Sequence, residues 1–282
     1  MAHTSGAPTS DAGNLIEELV GLARTLGAPP RAYAILGEGN VSARADEATF
    51  LVKASGTSMA TATASSLVRV DLGRVLALVQ GPPERDAAAG ESLDRTLATG
   101  EGAAAGEGSA RPSVEAGMHA VLLARAGARW VAHTHPTAVT AVLCSSQARA
   151  VVAGALFPDQ VVVCGPHPLF LPYVDPGLPL ARALSAALDA HRDLHGAVPK
   201  AIYLRNHGFV ALGASAAEVL AITDMAVKAA RVLAIALGCG GPTYLPVDEV
   251  RHIAGRSDEH YRQRILGLTP DSKTGDADRA GR

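Results

Sequence analysis

The chain has 282 residues, of which 48% are hydrophobic and 18% charged, so neither an intrinsically disordered chain nor a fibrous repeat fits it as a whole. Its 25 basic and 27 acidic side chains give a net charge of −2, which leaves no basic excess to neutralise a nucleic-acid backbone. The apolar run at 221–237 is interrupted by Asp224, Lys228 and Arg231, so no membrane-spanning helix is expected.

The cysteines and the first residues indicate the compartment. Cys144, Cys164 and Cys239 are far apart, odd in number and without C-x-x-C spacing, which is typical of incidental thiols in a reducing environment. Residues 1–11 contain no basic segment followed by an apolar stretch, so no secretory signal is expected. We therefore predict a cytoplasmic protein.

The N-terminal part of the chain combines a helix with short strands and turns. Small polar residues over 1–11 predict a disordered end. Apolar residues at helical spacing then predict a packing helix, with Asp11 as the N-cap and Gly27 as the stop. Residues 31–56 alternate β-prone pieces, such as 49–52, with glycines, which predicts strands joined by tight turns.

The rest of the chain predicts an α/β layered domain. Residues 81–111 are rich in glycine, alanine and small polar residues, which favours a flexible, exposed excursion over a domain boundary. Helical and strand patterns then alternate. The predicted helices cover 113–126, 136–145, 178–195 and 215–237, and the predicted strands cover 129–133, 160–164, 201–205 and 208–212. Residues 269–282 predict a second disordered end, so a single domain is expected over 12–268.

Two histidines end the strand predicted at 129–133. His133 and His135 are two residues apart, a spacing that places both side chains on one face of a strand. Neutral imidazoles are good Zn²⁺ ligands, and a catalytic zinc site uses three protein ligands and an open fourth position. The alternative is a pair of polar residues at a strand end, and the spacing alone leaves both interpretations open.

A third histidine, His207, follows another apolar, β-prone segment. Because the ends of neighbouring strands meet at one edge of an α/β sheet, where ligands bind, a site with three histidines is geometrically reasonable. A histidine before Gly208 also suits a turn in which the ring bonds a carbonyl group. The residue alone does not decide between a ligand and a turn.

The segment RPSVE at 111–115 has the pattern of a helix start. Ser113 lies near the expected N-cap and Glu115 in the first turn, where the helix dipole alone would favour a carboxylate. Glu115 and His119 are four residues apart and share one helix face. We interpret His119 as a supporting or packing group and not as a fourth ligand.

Two glycine-containing turns are predicted at 37–42 (GEGNVS) and 53–58 (KASGTS). They offer backbone N–H groups and short hydroxyl side chains, which are the means by which proteins hold phosphate. Neither is a P-loop, and the first lacks the third glycine of the dinucleotide fingerprint. Each segment, taken singly, is more typical of a simple turn.

Taken together, the motifs GEGNVS, KASGTS, RPSVE, HTHP and NHG, in this order over 37–208, resemble the class II aldolase and adducin family. The sequence VDPGLPLARAL at 174–184 is similar to the branch of rhamnulose- and fuculose-phosphate aldolases. The resemblance covers most of 12–240. It implies a three-layer α/β/α fold with a mostly antiparallel central sheet, and a homotetramer with active sites between subunits.

The resemblance also implies the roles of individual residues. Glu115 corresponds to the acid/base of the aldolases. The implied ligands of Zn²⁺, or of another divalent metal, are His133, His135 and His207. The implied phosphate contacts are Asn40, Ser55, Gly56 and Ser113.

This chain departs from the family pattern at two places. Many sugar-phosphate members have two serines before the glutamate, whereas this chain has Ser113 and then Val114, which removes one hydroxyl from the expected phosphate site. The aldolases also use a tyrosine of a neighbouring subunit to protonate the leaving oxygen. Tyr173 is the candidate for this proton donor, because it lies beyond the H-x-H segment.

The function implied is a zinc-dependent aldolase that cleaves a ketose 1-phosphate, or a deoxy analogue, to dihydroxyacetone phosphate and an aldehyde through a metal-stabilised enediolate. A 4-epimerase, a thio-sugar-phosphate dehydratase and an oxo-acid-phosphate decarboxylase are alternatives on the same scaffold. They share the metal and differ in the fate of the enediolate, so the motifs do not choose among them. A metal-free interaction module like the adducin head is a further alternative, although such a module does not need the histidines and Glu115.

Overall fold

The computed structural model describes residues 10–82 and 110–256. Within these ranges seven strands form one sheet: β1 (Asn40–Arg44), β2 (Thr49–Lys53), β3 (Leu67–Asp71), β4 (Trp130–Thr134), β5 (Leu169–Leu171), β6 (Ala201–Leu204) and β7 (Gly208–Gly213). Their order across the sheet is β3-β2-β1-β4-β7-β6-β5. All neighbouring pairs are antiparallel except β5 and β6, which are parallel. The expected mostly antiparallel α/β sheet is therefore confirmed.

Helices cover both faces of this sheet. They are α1 (Ser10–Leu26), α2 (Leu72–Gln80), α3 (Ala116–Arg125), α4 (Thr137–Leu143), α5 (Pro158–Cys164), α6 (Leu178–His195), α7 (Ala216–Gly238) and α8 (Val247–Gly255). Helices α2, α3 and α6 pack into the core on one face, and α1, α4 and α7 pack into the core on the other. The three-layer arrangement of helices, sheet and helices is the one that the resemblance implied.

Strand β4 shows how the sheet separates the two cores. All five of its residues are buried, and successive side chains point to opposite faces. Val131 belongs to the core on the α3 side, while Trp130 and Ala132 belong to the core on the α7 side. A central strand buried on both faces reads as a continuous apolar run, and here the run ends in the histidines.

The predicted strand at 160–164 is wrong, because these residues form helix α5. Pro158 occupies the start of the helix, where its fixed φ is favourable, and Gly165 ends it at a φ of +79°. A short apolar run has no clear period, so packing decides its conformation. Here Val161 and Val162 pack against Ile253 of α8. The strand lies a few residues later, as β5.

The other predicted helices and strands agree with the structure to within a few residues, and α6 has the predicted limits of 178–195. Helix α1 begins at Ser10, one residue before the expected N-cap Asp11. Residues 1–9 and 269–282 of the predicted disordered ends, and 83–109 of the predicted excursion, lie outside the described residues. In the ranges that the structure describes, no helix is long and apolar enough to cross a membrane.

Candidate metal centre and adjoining cleft

His133 is held by the middle of the sheet. It lies on β4 and pairs with Asn40 of β1 on one side and Val210 of β7 on the other. Its ring is fully buried, and Nδ1 lies 3.1 Å from the carbonyl oxygen of Phe209. That carbonyl fixes the proton on Nδ1 and leaves a lone pair on Nε2. Burial also lowers the pKa of His133 to about 4, so the ring is neutral at neutral pH, as a metal ligand must be.

His135 lies one residue beyond the end of β4. Its Nε2 is 3.0 Å from Nε2 of His133, and its Nδ1 is 4.0 Å from a carboxylate oxygen of Glu38. The backbone N–H of His135 donates to the carbonyl of Tyr33 over 2.7 Å. Burial is also the main cause that lowers the pKa of His135 to about 4. This second imidazole is therefore neutral and directed at the first.

His207 completes the group from the tight turn between β6 and β7. Asn206, just before it, adopts the left-handed conformation with a φ of 53°. Gly208, just after it, has no room for a side chain, because a Cβ there would lie 2.6 Å from both His135 Cδ2 and the Thr134 carbonyl oxygen. The turn therefore brings the third ring against the other two, with ring centroids 4.8–5.1 Å apart.

The three histidines fit a divalent metal ion. One nitrogen from each lies within 4.8 Å of the others, so the group could bind a metal. Tetrahedral Zn²⁺ ligands at about 2.0–2.1 Å from the ion lie roughly 3.3–3.4 Å apart, close to the 3.0 Å between the first two Nε2 atoms. Nδ1 of His207 and Oε1 of Glu115 are buried without a hydrogen-bond partner, which points to a missing bound group.

Glu115 faces the three imidazoles. Helix α3 begins at Ala116, so Glu115 precedes the helix instead of lying in its first turn, and its carboxylate makes no helix cap. Its two oxygens lie 3.3 Å from Nε2 of His133 and of His207. The backbone N–H of Glu115 donates to Ser113 Oγ, and this hydrogen bond holds the backbone of Glu115 in place before the helix.

The balance of charges and hydrogen bonds decides the ionisation of Glu115. Burial raises the pKa of this carboxyl, but the facing His207 ring and a hydrogen bond of 2.9 Å from Asn40 Nδ2 lower it by more. The pKa of Glu115 therefore lies well below its usual range. The group is ionised, which is the form that accepts a proton.

His119 supports this arrangement from behind. It is fully buried, and its Nδ1 lies 2.6 Å from Ser42 Oγ, while its Nε2 contacts Asn40 Oδ1. Asn40 in turn donates to Glu115 and to Ser113 Oγ. His119 is thus linked to the carboxylate through Asn40, and it does not belong to the three-histidine group. The sequence showed His119 on the same helix face as Glu115 but gave no sign of this chain of contacts.

A cleft of about 230 Å³ opens in front of Glu115, with His135 and His207 in its wall. All four residues expected to contact phosphate line it: Asn40, Ser55, Gly56 and Ser113. Glu38 and Val114 line it as well, and Val114 is 56% exposed.

Lys53 is a cleft residue to which sequence analysis gave no role. Its side chain is buried, and Nζ donates to the carbonyl oxygens of Gly37, Ala54 and Thr57. The ammonium group thereby connects the two glycine-containing turns, and burial lowers its pKa. Its place at the end of a β-prone run was visible in the sequence, but its carbonyl partners were not.

Tyr173 is placed differently from the other candidate residues. It is 55% exposed, its hydroxyl donates to Asp175 over 2.9 Å, and it is not among the residues that line the cleft. The hydrogen bond to Asp175 raises the pKa of Tyr173. The cysteines Cys144, Cys164 and Cys239 are all free thiols.

Comparison with known proteins identifies the family. The model of the class II aldolase and adducin N-terminal domain matches residues 17–234. The chain therefore belongs to the class II aldolase and adducin family. The sequence has no significant match among curated proteins.

Solved structures of similar fold agree with this family. YgbL from Klebsiella pneumoniae is 24% identical, covers 86% of this chain and 98% of its own, and has a TM-score of 0.63. An L-fuculose 1-phosphate aldolase is 18% identical, with 92% and 100% of the two chains covered and a TM-score of 0.64. The L-fuculose 1-phosphate aldolase from Glaciozyma antarctica is 17% identical, with 94% and 97% covered and a TM-score of 0.60. At these identities the likeness shows the fold.

Proposed function

We propose that the protein is a zinc-dependent aldolase that cleaves a ketose 1-phosphate, or a deoxy-ketose 1-phosphate, to dihydroxyacetone phosphate and an aldehyde. One observation carries the proposal. An ionised, buried carboxylate, Glu115, lies against a group of three histidines at the base of a cleft lined by hydroxyl groups and turns. Membership of the class II aldolase and adducin family supports the same conclusion.

His133, His135 and His207 are the residues that would hold the metal. A divalent ion such as Zn²⁺, when bound, supplies a Lewis acid that stabilises negative charge developing on substrate oxygens. His133 and His135 are neutral, so they leave the positive charge of the ion available to the substrate. The same set would also accept another divalent ion.

Glu115 would move the proton at the carbon that is released. It is ionised and has one oxygen, Oε2, held by the Asn40 amide, while Oε1 has no hydrogen-bond partner. Oε1, which lies 3.3 Å from Nε2 of His207, is the oxygen that would accept a substrate proton. Positioned carboxylates of this kind contribute typically about 10²–10⁴-fold to a reaction.

Asn40, Ser55, Gly56 and Ser113 would hold the phosphate of the substrate. Ser113 Oγ accepts hydrogen bonds from Asn40 and from the Glu115 backbone, which leaves its own hydroxyl proton for a substrate oxygen. The buried ammonium of Lys53 adds positive charge next to this wall. Val114 removes one hydroxyl, so we expect a looser hold on the phosphate than two serines would give.

We also propose a homotetramer with the cleft at a subunit interface. Large apolar side chains are exposed at Val114 in the cleft wall and, next to cleft residues in sequence, at Ile35 and Leu36 before Gly37 and at Tyr173 before Pro176. Where such side chains form one contiguous patch, the patch is typical of a surface that binds a partner.

Tyr173 is the proposed proton donor to the leaving oxygen, acting across such an interface. Tyr173→Phe should lower kcat by about 10²-fold, within the range for a lost general acid, without changing the melting temperature. An unchanged kcat in a folded tetramer would remove Tyr173 from the mechanism.

The proposal is tested by measuring dihydroxyacetone phosphate release from a panel of ketose 1-phosphates. The samples are zinc-loaded protein, chelated protein and His135→Ala, and zinc content is measured in each. We expect release only from the zinc-loaded wild type. Bound zinc without release from any substrate would contradict the aldolase and favour the epimerase, dehydratase or decarboxylase. Absence of zinc binding would favour the adducin-like module.

A further inference from the structure

The two histidines of the H-x-H pair differ in what holds their backbone. His133 is inside β4 and is paired with a strand on each side. His135 is beyond the last paired residue, Thr134, so the sheet does not fix it. Its backbone N–H instead donates to the carbonyl of Tyr33 over 2.7 Å. The loop that contains Tyr33 therefore fixes the backbone of His135, as the sheet fixes the backbone of His133.

The same loop makes a second contact just beyond His135. The backbone N–H of Thr137 donates to the carbonyl of Ala32 over 3.1 Å. Ala32 has a φ of 52° and a ψ of 42°, the left-handed conformation that is unfavourable for residues with a Cβ. A strained residue persists only where its surroundings fix the conformation. Something else must therefore hold this loop against the segment of His135.

Asp224 provides that hold. It lies on α7, and its Oδ1 accepts a hydrogen bond of 2.8 Å from the Tyr33 hydroxyl and pairs with the guanidinium of Arg31. The Arg31 guanidinium also lies over the Tyr33 ring, 5.5 Å from its centroid. Helix α7 is itself fixed, because Ile222 and Ala226 on either side of Asp224 are fully buried. We refer to Arg31, Tyr33 and Asp224 as the latch.

The latch has the properties of a stable anchor. The Tyr33 side chain is almost fully buried, and burial together with Asp224 raises its pKa to about 12, so the hydroxyl remains a donor at neutral pH. The Arg31–Asp224 pair is partly exposed, with side-chain exposures of 32% and 40%. An isolated pair with this exposure contributes little to stability, so stability alone does not account for two side chains converging on one carboxylate.

We propose that the latch positions His135 as a metal ligand, by holding the Ala32 and Tyr33 carbonyls against the backbone of 135–137. The inference rests on the proposed metal centre. Arg31, Tyr33 and Asp224 are positioning residues, since the described contacts connect them to His135 only through the backbone of the loop. Loss of the latch should therefore weaken metal binding without removing any ligand.

Asp224→Ala tests the latch directly. Removal of the carboxylate frees both the Tyr33 hydroxyl and Arg31, and we expect the Zn²⁺ affinity to fall by about ten-fold, the lower end for lost outer partners of a metal ligand. Asp224→Asn keeps an acceptor for the Tyr33 hydroxyl and should restore part of the affinity. Tyr33→Phe keeps the ring in place and removes only the hydroxyl, so it should also weaken binding.

Asp189 offers a matched control. It pairs with Arg125 over 2.7 Å and is 44% exposed, close to the 40% of Asp224, but it lies on α6, whose helix packs on the opposite face of the sheet. Asp189→Ala therefore removes a comparable ion pair away from His135. We expect a similar change in melting temperature and no change in Zn²⁺ affinity.

The experiment uses the full chain and measures Zn²⁺ affinity by competition with a chromogenic chelator. The absorption spectrum of the Co²⁺-loaded protein reports the geometry of the ligands in each variant. A weaker affinity and a changed spectrum in Asp224→Ala, but not in Asp189→Ala, support the inference. Unchanged values in Asp224→Ala, or equal losses in Asp189→Ala, would overturn it.

Two further samples keep the result interpretable. If Asp224→Ala does not fold, Tyr33→Phe decides, and wild-type affinity in that variant overturns the inference. His135→Ala is measured alongside the wild type. If the wild type binds no Zn²⁺, the metal centre itself is overturned. If the wild type binds Zn²⁺ and His135→Ala does not, the proposed function remains intact even when the latch variants show no effect.

Discussion

The two walls of the candidate site are built in different ways. The histidine wall is formed by the ends of β4 and β7, where His133 is fully buried and Gly208 leaves no space for a methyl group. The turn wall consists of Ser55, Gly56, Ser113 and Val114. Ser55 and Gly56 lie on an exposed turn and Val114 has more than half of its surface exposed, whereas Ser113 is buried. Metal binding should therefore be coupled to the stability of the fold, whereas substrate binding by the exposed turn residues should vary almost independently of it.

Glu115 lies where the two walls meet, and its replacement should have the largest effect. Glu115→Gln keeps the shape and an oxygen for the Asn40 amide but removes the proton acceptor. Turnover should fall by about 10²–10⁴-fold, while zinc content and melting temperature remain close to those of the wild type. Steady-state release of dihydroxyacetone phosphate measures the loss.

The control for this substitution is Glu218→Gln. Glu218 is another buried carboxylate, but it accepts from Lys200 and the Ala214 backbone, away from the cleft. The turnover of Glu218→Gln per folded molecule should equal that of the wild type. Near-normal turnover in Glu115→Gln would mean that another group moves the proton.

Gly208→Ala tests the histidine wall. The new methyl group would lie 2.6 Å from the His135 ring and from a backbone oxygen of Thr134, so the ends of β4 and β7 must separate. We expect overpacking of about 1–3 kcal/mol, a melting temperature lower by several degrees and a zinc affinity lower by at least about ten-fold. Calorimetry and metal analysis after gel filtration measure the two effects together.

Gly21→Ala is the matched control for this wall. Gly21 lies within α1 and has nothing within 4 Å of the position of a Cβ, so alanine there should raise helix stability slightly. Full zinc content is expected. If Gly208→Ala also retained full zinc affinity and stability, the coupling between metal site and fold would be refuted.

The sequence predicted the histidine wall better than it predicted what supports the wall. Spacing made His133 and His135 candidates for one face of a strand, and His207 was a candidate because strand ends meet, but the resemblance to the family supplied their role as metal ligands. The carbonyls that hold Lys53 and the latch were not predictable. Tyr33 and Asp224 are 191 residues apart in sequence, and no local pattern joins such partners.

The same reasoning explains the accuracy of the fold prediction. The limits of helix α6 agree with the prediction because a glycine flanks each end of its pattern. In the structure Gly177 and Gly196 both adopt positive φ there, which ends the helix. Helix α5 was mistaken for a strand because its apolar residues are β-branched and its run is short, and the contact with Ile253 that decides the matter comes from far along the chain.

Ser113→Ala tests the turn wall. The hydroxyl proton of Ser113 is free for a substrate, and loss of one hydrogen bond to a charged group of about 1.5 kcal/mol corresponds to an increase in KM of about ten-fold. We expect a smaller fall in kcat than rise in KM, because the phosphate is held equally before and during the reaction, whereas Ser113 Oγ also accepts from the Glu115 backbone. Ser145→Ala, which removes a hydroxyl bonded to Val142 outside the cleft, is the control. A loss confined to kcat would contradict a phosphate contact.

Val114→Ser makes the smallest change. It tests most directly whether substrate binding at the turn wall is independent of the stability of the fold. It adds a hydroxyl at a cleft position that is 56% exposed, so little packing is lost and the free energy of unfolding should change by no more than about 0.5 kcal/mol. One added hydrogen bond should lower KM by about three-fold for phosphorylated substrates, whereas the KM for unphosphorylated analogues should not change. Val232→Ser, on the exposed side of α7, controls for the loss of a surface valine and should leave KM unchanged. A higher KM in Val114→Ser would mean that the valine contacts an apolar part of the substrate, and the phosphate would then lie against Asn40, Ser55, Gly56 and Ser113 with no contact at position 114.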